Sequence, residues 1–300
     1  MTNASVQRFV TLGSFIFWWL TAAWLWDGQR GWAWACLAMP FLLTPLILGM
    51  QCLWSAQSNR DDPSPPASLG QWLLAWLAEA WVAGLVFSWW QPFRRLAIAD
   101  GLHPTPGRRG MVLVHGFFCN RAFWTRWMQQ LAAQGRVFVA VDLEPAYGTI
   151  NNYALLVERA VQQVELATGL PPVIVGHSMG GLAIRAWAAQ LPASQGMGRV
   201  HRVVTLGTPH HGTAIAATSH TQNGREMRLG SDWLKENASH LPDGFAQKCT
   251  CFYSHCDNIV FPASAATLIG ADNQHIEGHA HVQLAFSPHI QQACLGLLET

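Results

Sequence analysis

The sequence predicts an α/β domain on a mainly parallel sheet, preceded by an N-terminal helical hairpin that crosses a membrane. Three observations carry this. From about residue 110, short apolar runs alternate with stretches of helical length, as in strands joined by crossover helices. One junction, "PPVIVGHSMGGLAIRAWA" (171–188), passes from a buried strand to a helix through a serine flanked by glycines. Before residue 91 the chain is nearly free of charge and holds twelve of its sixteen tryptophans.

Composition sets the bounds. The chain has 300 residues, 50% hydrophobic and only 12% charged, against a usual charged share of roughly 25%. A net charge of +1 gives no electrostatic footprint for a polyanion, so nucleic acid is excluded as a partner.

Residues 1–55 read as a transmembrane hairpin. Their only charges are Arg8, Asp27 and Arg30. Segments 9–26 and 32–54 would be about 27 and 35 Å long as helices, enough for a hydrocarbon core of about 30 Å. "DGQRG" (27–31) supplies the turn, and tryptophans crowd the segment ends, where indoles favour the interface. A cleaved signal peptide also starts this way, but "TAAWLWDG" is a poor cleavage site and a second apolar segment follows at once. Residues 56–109 read as a polar, proline-rich linker (56–68) and a tryptophan-rich helix (69–90). Glu79 near the centre of that helix is costly in a lipid-exposed span. An interfacial position, or one between membrane and enzyme, avoids the cost.

Residues 110–300 then give strands at 111–116, 137–143, 173–176, 199–207, 248–256 and about 273–278. Helices fall between them, near 121–134, at 152–168 and from Met179, with a last helix near 283–299. The stretch 208–247 is a long insertion between strands, a natural place for a lid.

Gly-x-Ser-x-Gly between strand and helix is the signature of a nucleophile elbow, which marks Ser178. A serine needs a base to take its proton and a third group to orient that base. In the order Ser, acid, His, the candidates are Asp257, with Asp272 as rival, and then His279 or His281, which local chemistry barely separates. The oxyanion donors for this architecture are the backbone N–H groups of Met179, after the nucleophile, and Phe117, after the first core strand.

"VLVHGFFCN", "VGHSMGG", "VTLGTPHHGT", "YSHCDNIVFP" and "GHAHVQLAFSP" resemble, in order, the motif blocks of the α/β-hydrolase superfamily, in its bacterial lipase and esterase branch. The resemblance spans residues 110–300. It implies that the acid lies in a Ser-x-x-Asp-x-Ile-Val string, here Ser254 and Asp257. It implies that the histidine precedes x-x-Leu-x-x-Ser, which selects His281 over His279. The implied activity is cleavage of lipid or small ester substrates by Ser178, His281 and Asp257, with no cofactor. An acyltransferase or thioesterase would use the same triad, and a membrane interaction protein with a vestigial domain is the reading from another class. The N-terminus departs from simple secreted lipases of this branch.

His210 and His211, and Cys249, Cys251 and Cys256 with His255, mimic metal-ligand spacing, but alternate thiols on an apolar strand are usually core. No metal is expected. Seven cysteines without a disulfide framework favour a reducing compartment. Arg60, Arg94, Arg95, Arg108 and Arg109 flank the domain side of the hairpin against Arg30 in its turn. The positive-inside tendency therefore places the domain on the cytoplasmic side of a bacterial inner membrane. The active-site mouth is expected to face the bilayer, with 69–90 and 208–247 lining an acyl pocket. A chain beginning near Gln91 is then expected to keep activity on short soluble esters.

Overall fold

The computed structural model describes residues 2–192, 194 and 196–300. Helices α1 (Asn3–Leu25) and α2 (Arg30–Ser58) open the chain. Edge-to-face contacts of Phe15 with Phe41 and Trp26 with Trp34, both with ring centroids 5.6 Å apart, mark their antiparallel packing. Pro40 and Pro45 lie inside α2, where each removes a helical N–H donor. The Trp76 indole donates to the Pro45 carbonyl at 2.8 Å.

Helix α3 (Leu69–Leu85) starts at a capping box formed by Ser68 and Gln71. It continues through a π-helical turn, Val86–Trp90, into the short α4 (Gln91–Phe93). Its buried positions, Ala75, Glu79, Ala83 and Val86, recur at helical spacing. On the other side Leu69 is 89% and Trp81 76% exposed. Both faces are apolar because one packs on the rest of the protein and the other is an open apolar surface. Glu79 sits on the packed side.

The sheet has strands β1 (Met111–Val114), β2 (Phe138–Val141), β3 (Val173–His177), β4 (Arg202–Leu206), β5 (Cys249–Tyr253) and β6 (Asp272–His275). All neighbours are parallel, in the order β2-β1-β3-β4-β5-β6. Its helices are α5 (Thr125–Ala133), α6 (Ala154–Thr168), α7 (Met179–Ala188), α8 (Gln222–Glu226), α9 (Asp232–Ser239), α10 (His281–Leu284) and α11 (Pro288–Gly296). The single last helix expected near 283–299 is therefore two. Pro288 disfavours helical backbone at Ser287, so the chain breaks there and restarts.

Successive side chains of a strand face opposite ways. Val112, Ile174 and Val203 accordingly pack with α6 and α7, and Leu113, Val175 and Val204 with α5 and α11. Val86 belongs to the second cluster, so the N-terminal region is built into the domain's core. The chain lays down β1, steps to β2 at the edge, then returns to β3 on the other side of β1. Such a reversal leaves a crevice at the carboxyl ends of the two strands, where Gly116 and Ser178 lie.

Candidate active site

Ser178 links β3 to α7 with φ +56° and ψ −129°, a conformation costly for any side chain. Neighbouring strands hold it there. Its N–H donates to the Leu206 carbonyl at 2.9 Å, and its carbonyl accepts from Thr208 Oγ1 at 2.9 Å. Gly180 explains itself: a Cβ there would lie 2.2 Å from the Val114 carbonyl oxygen. The Ser178 hydroxyl opens onto a cavity.

Asp257 follows β5. Its Oδ1 accepts from the Ile259 and Val260 N–H groups, each at 2.8 Å, and its Oδ2 accepts from His281 Nδ1 at 2.8 Å. This close approach depends on Gly207, at φ +54°, where a Cβ would stand 2.8 Å from that Oδ2. His281 opens α10 and is buried. Burial alone would depress its pKa, but the charge and hydrogen bond of Asp257 outweigh it and hold the imidazole above the usual histidine range. Asp272 lies at the amino end of the sheet, beside Thr250 and 3.7 Å from Arg202. His279 turns its Nδ1 to the Glu277 carbonyl at 2.8 Å. The structure thus brings together Ser178, Asp257 and His281, and leaves Asp272 and His279 outside.

His177, a spacer residue in the sequence motif, packs against His281. Its ring stacks on Phe123 and lies 4.5 Å, centroid to centroid, from that of His281, and its Nε2 pairs with the His281 carbonyl at 3.1 Å. Burial holds it well below the usual histidine range, hence neutral, so the nitrogen facing that carbonyl carries the proton.

The loop after β1 presents Phe117. Among the described residues no loop or turn carbonyl accepts from the Phe117 or Met179 N–H. His115 Nε2 accepts from the Leu143 N–H at 3.0 Å, which leaves Nδ1 as donor to the Gly116 carbonyl at 2.9 Å. Phe118 adopts φ +53°, and Gln7 of α1 holds its carbonyl at 2.7 Å. Gln7, Gln91 and Asn120 form one buried amide network: Gln91 Oε1 accepts from the Asn120 N–H at 2.8 Å and from Gln7 Nε2 at 3.2 Å.

The cavity at Ser178 and His281 measures about 300 Å³. Thr44, Leu48 and Gln51 of α2, Glu79 and Ala83 of α3, and Phe87 line it opposite Phe117, Asn258 and Val282. The insertion 208–247 contributes none of this lining. It packs beside α7 instead: buried Arg185 donates to Asn237 Oδ1 at 2.9 Å and to the His210 carbonyl at 2.7 Å. The wall facing Ser178 therefore comes from the hairpin and α3, not from a lid within the domain. His210 itself pairs with Thr205 Oγ1 at 3.1 Å. Among the described residues no group of three His, Cys, Asp or Glu side chains is arranged for a metal ion.

Three loops of the site, those after β1, after β5 and at the start of α10, are fastened by polar side chains from the first ninety-one residues. Gln7 and Gln91 hold the loop after β1. Ser55 donates to the Asp257 carbonyl at 2.6 Å, and Gln51 accepts from Asn258 at 2.9 Å. Glu79 accepts from the Val282 and Gln283 N–H groups beside His281. Sequence reasoning missed these roles, although polar residues isolated in apolar helices were the signal.

A profile of the alpha/beta hydrolase family matches residues 111–284. Among solved structures, a mature lipase from Bacillus licheniformis is similar at 17% identity and TM-score 0.55, over 65% of this chain and 94% of that one. Aspergillus fumigatus lipase B is similar at 16% identity and TM-score 0.55, over 65% and 53%. At these identities the likeness is one of fold. Among curated proteins, none matches this chain by sequence. The profile spans more than half of the sequence, over the strands and turns that carry the site, and the chain belongs to the alpha/beta hydrolase family.

Proposed function

We propose that this protein is a membrane-bound serine hydrolase that cleaves carboxylic esters with lipid-like acyl chains. The observation that carries the proposal is the convergence, on one cavity walled by apolar helices, of a strained serine and a buried pair of His281 and Asp257.

In this reading His281 Nε2 takes the Ser178 proton as Oγ bonds to the ester carbonyl carbon. The carbonyl electron pair moves to oxygen, and that oxyanion accepts from the Phe117 and Met179 N–H groups. Collapse of the intermediate expels the alcohol, which takes the proton from His281. Water then repeats the sequence on the acyl-enzyme and releases the acid. Asp257 orients the imidazole and stabilises its protonated form.

The three N-terminal helices are each long and apolar enough to cross a membrane. Residues such as Trp24 (82% exposed) and Leu53 (74%) leave a wide apolar surface on α1 and α2, larger than water-soluble monomers carry. The start of α1 and the end of α2 are both fastened to the hydrolase, while residues 26–32 at the turn between them are exposed. This supports a hairpin inserted in the bilayer, with α3 lying between membrane and enzyme. A lipid ester then reaches the cavity from the phase in which it is concentrated.

The test is labelling with a fluorophosphonate together with hydrolysis of esters of graded chain length. Ser178→Ala should abolish both and leave thermal unfolding unchanged. Labelling that persists in the variant would put the nucleophile elsewhere.

A further inference from the structure

We propose that Glu79 is a positioning residue for the base: from the middle of α3 it holds the turn that carries His281 and sets a second carboxylate near the imidazole that Asp257 orients. The inference rests on the reading of Ser178, His281 and Asp257 as the reacting set.

Oε1 of Glu79 accepts from the Val282 N–H and Oε2 from the Gln283 N–H, each at 2.9 Å. These are the second and third residues of α10, whose preceding residue, Ala280, has no side-chain acceptor to offer. Without Glu79 the Val282 and Gln283 N–H groups would lose their acceptors, and only the His281 N–H, bonded to Asn258 Oδ1, would keep one. The carboxylate comes from 203 positions earlier in the chain. Glu79 is 1% exposed and is the only charged residue in α3. Burying a carboxylate is strongly unfavourable unless it is bonded, so this residue type needs a reason. A neutral amide has one acceptor oxygen and would turn its NH2 toward the second N–H, whereas the carboxylate accepts from both. Burial pushes the Glu79 carboxyl up to about 7, against the Val282 and Gln283 N–H groups and His281, which favour the charged form. The carboxylate therefore adds its charge above that pH. It joins Asp257 in raising the His281 pKa against the effect of burial, so it favours the imidazolium formed when Ser178 gives up its proton. Placement of the base therefore depends on α3 being docked, which ties turnover to the state of the N-terminal helices.

The experiment uses the full chain in detergent micelles, a short soluble nitrophenyl ester, and rates normalised to the folded fraction read from thermal unfolding. The ionisable groups facing the His281 ring are Asp257, Glu79 and His177. Glu79→Gln should lower kcat about a hundredfold, as expected for a small misplacement of a reacting group, with KM little changed. Activity requires neutral His281, so kcat/KM falls as pH drops through its pKa. Loss of the Glu79 charge lowers that pKa, and the acid limb should move down by about one pH unit. Glu79→Asp keeps the charge and shortens the reach, so kcat should fall while the limb stays near its wild-type position. If Glu79→Gln does not fold, Glu79→Asp carries the test alone. A wild-type kcat in either folded variant, or an unmoved acid limb in Glu79→Gln, overturns the proposal. A wild-type protein that neither hydrolyses the ester nor labels at Ser178 would overturn the reading of the site instead.

Discussion

Ser178 can occupy a strained backbone conformation because β4 and the Thr208 side chain clamp both sides of its peptide, and Gly180 leaves room for the first core strand. The same logic separates the two histidines of "GHAHV". One imidazole is bonded to a buried carboxylate, the other to a backbone carbonyl near the surface. His281→Ala should reduce turnover by several orders of magnitude, since losing one member of a triad leaves only residual catalysis. His279→Ala should cost far less. Steady-state rates for both variants on one ester check this, and a reversed ranking would mean that the base is misassigned. Gly207→Ala is a sharper probe of the pair, because its Cβ would collide with Asp257 Oδ2 at a backbone angle that disfavours alanine. Turnover should fall, and the acid limb of the pH profile should move down, as a displaced Asp257 no longer supports imidazolium.

At the scale of elements, α2 and α3 form the wall of the cavity that β-strands and their loops leave open. Leu48 of α2 lines that cavity together with Ala83 of α3. A bulkier side chain at Leu48 fills acyl space without touching Ser178, His281 or Asp257. Leu48→Trp should therefore depress hydrolysis of long-chain esters more strongly than that of acetyl or butyryl esters. A chain-length series of kcat/KM measures the ratio, and an unchanged profile would remove α2 from the acyl site. Helix α3 shows why its composition was ambiguous. Its stripe of Ala75, Glu79, Ala83 and Val86 packs on the hydrolase domain, so the lone carboxylate lies on the buried face.

For the whole molecule, the N-terminal helices are built into the hydrolase domain. Gln7, Gln51, Ser55, Glu79 and Gln91 each bond to a loop of the site, and Val86 belongs to the hydrophobic core. The expectation that a chain beginning near Gln91 keeps activity on short esters is revised on these contacts. Such a chain would leave buried carbonyl and N–H groups unpartnered, at about 1–3 kcal/mol each, and would open the core at Val86. It should lose activity on short and long esters alike, with a lower thermal midpoint. Retained short-ester activity would show that the loops hold their geometry without the helices. Sidedness is a separate question with its own measurement. The arginine bias predicts a cytoplasmic C-terminus, and a reporter fused there that reads as external would overturn it.

Strand and helix alternation, the glycine-flanked serine and the apolar N-terminal segments were all legible in the sequence, because periodicity and turn chemistry are local properties. Motif order was enough to nominate Ser178, Asp257, His281, Phe117 and Met179. Proximity in sequence could not separate His279 from His281 without the family resemblance, since both belong to one loop. Only the tertiary structure decided what closes the cavity. The longest insertion is the natural place for a lid, but Arg185 binds that segment against α7, and the wall comes instead from helices roughly a hundred residues upstream of the serine. Glu79 and Gln7 look like blemishes in apolar helices until the fold places them against the unpaired backbone groups of distant loops. Which carboxylate meets which N–H is a matter of long-range packing, and local sequence carries no record of it.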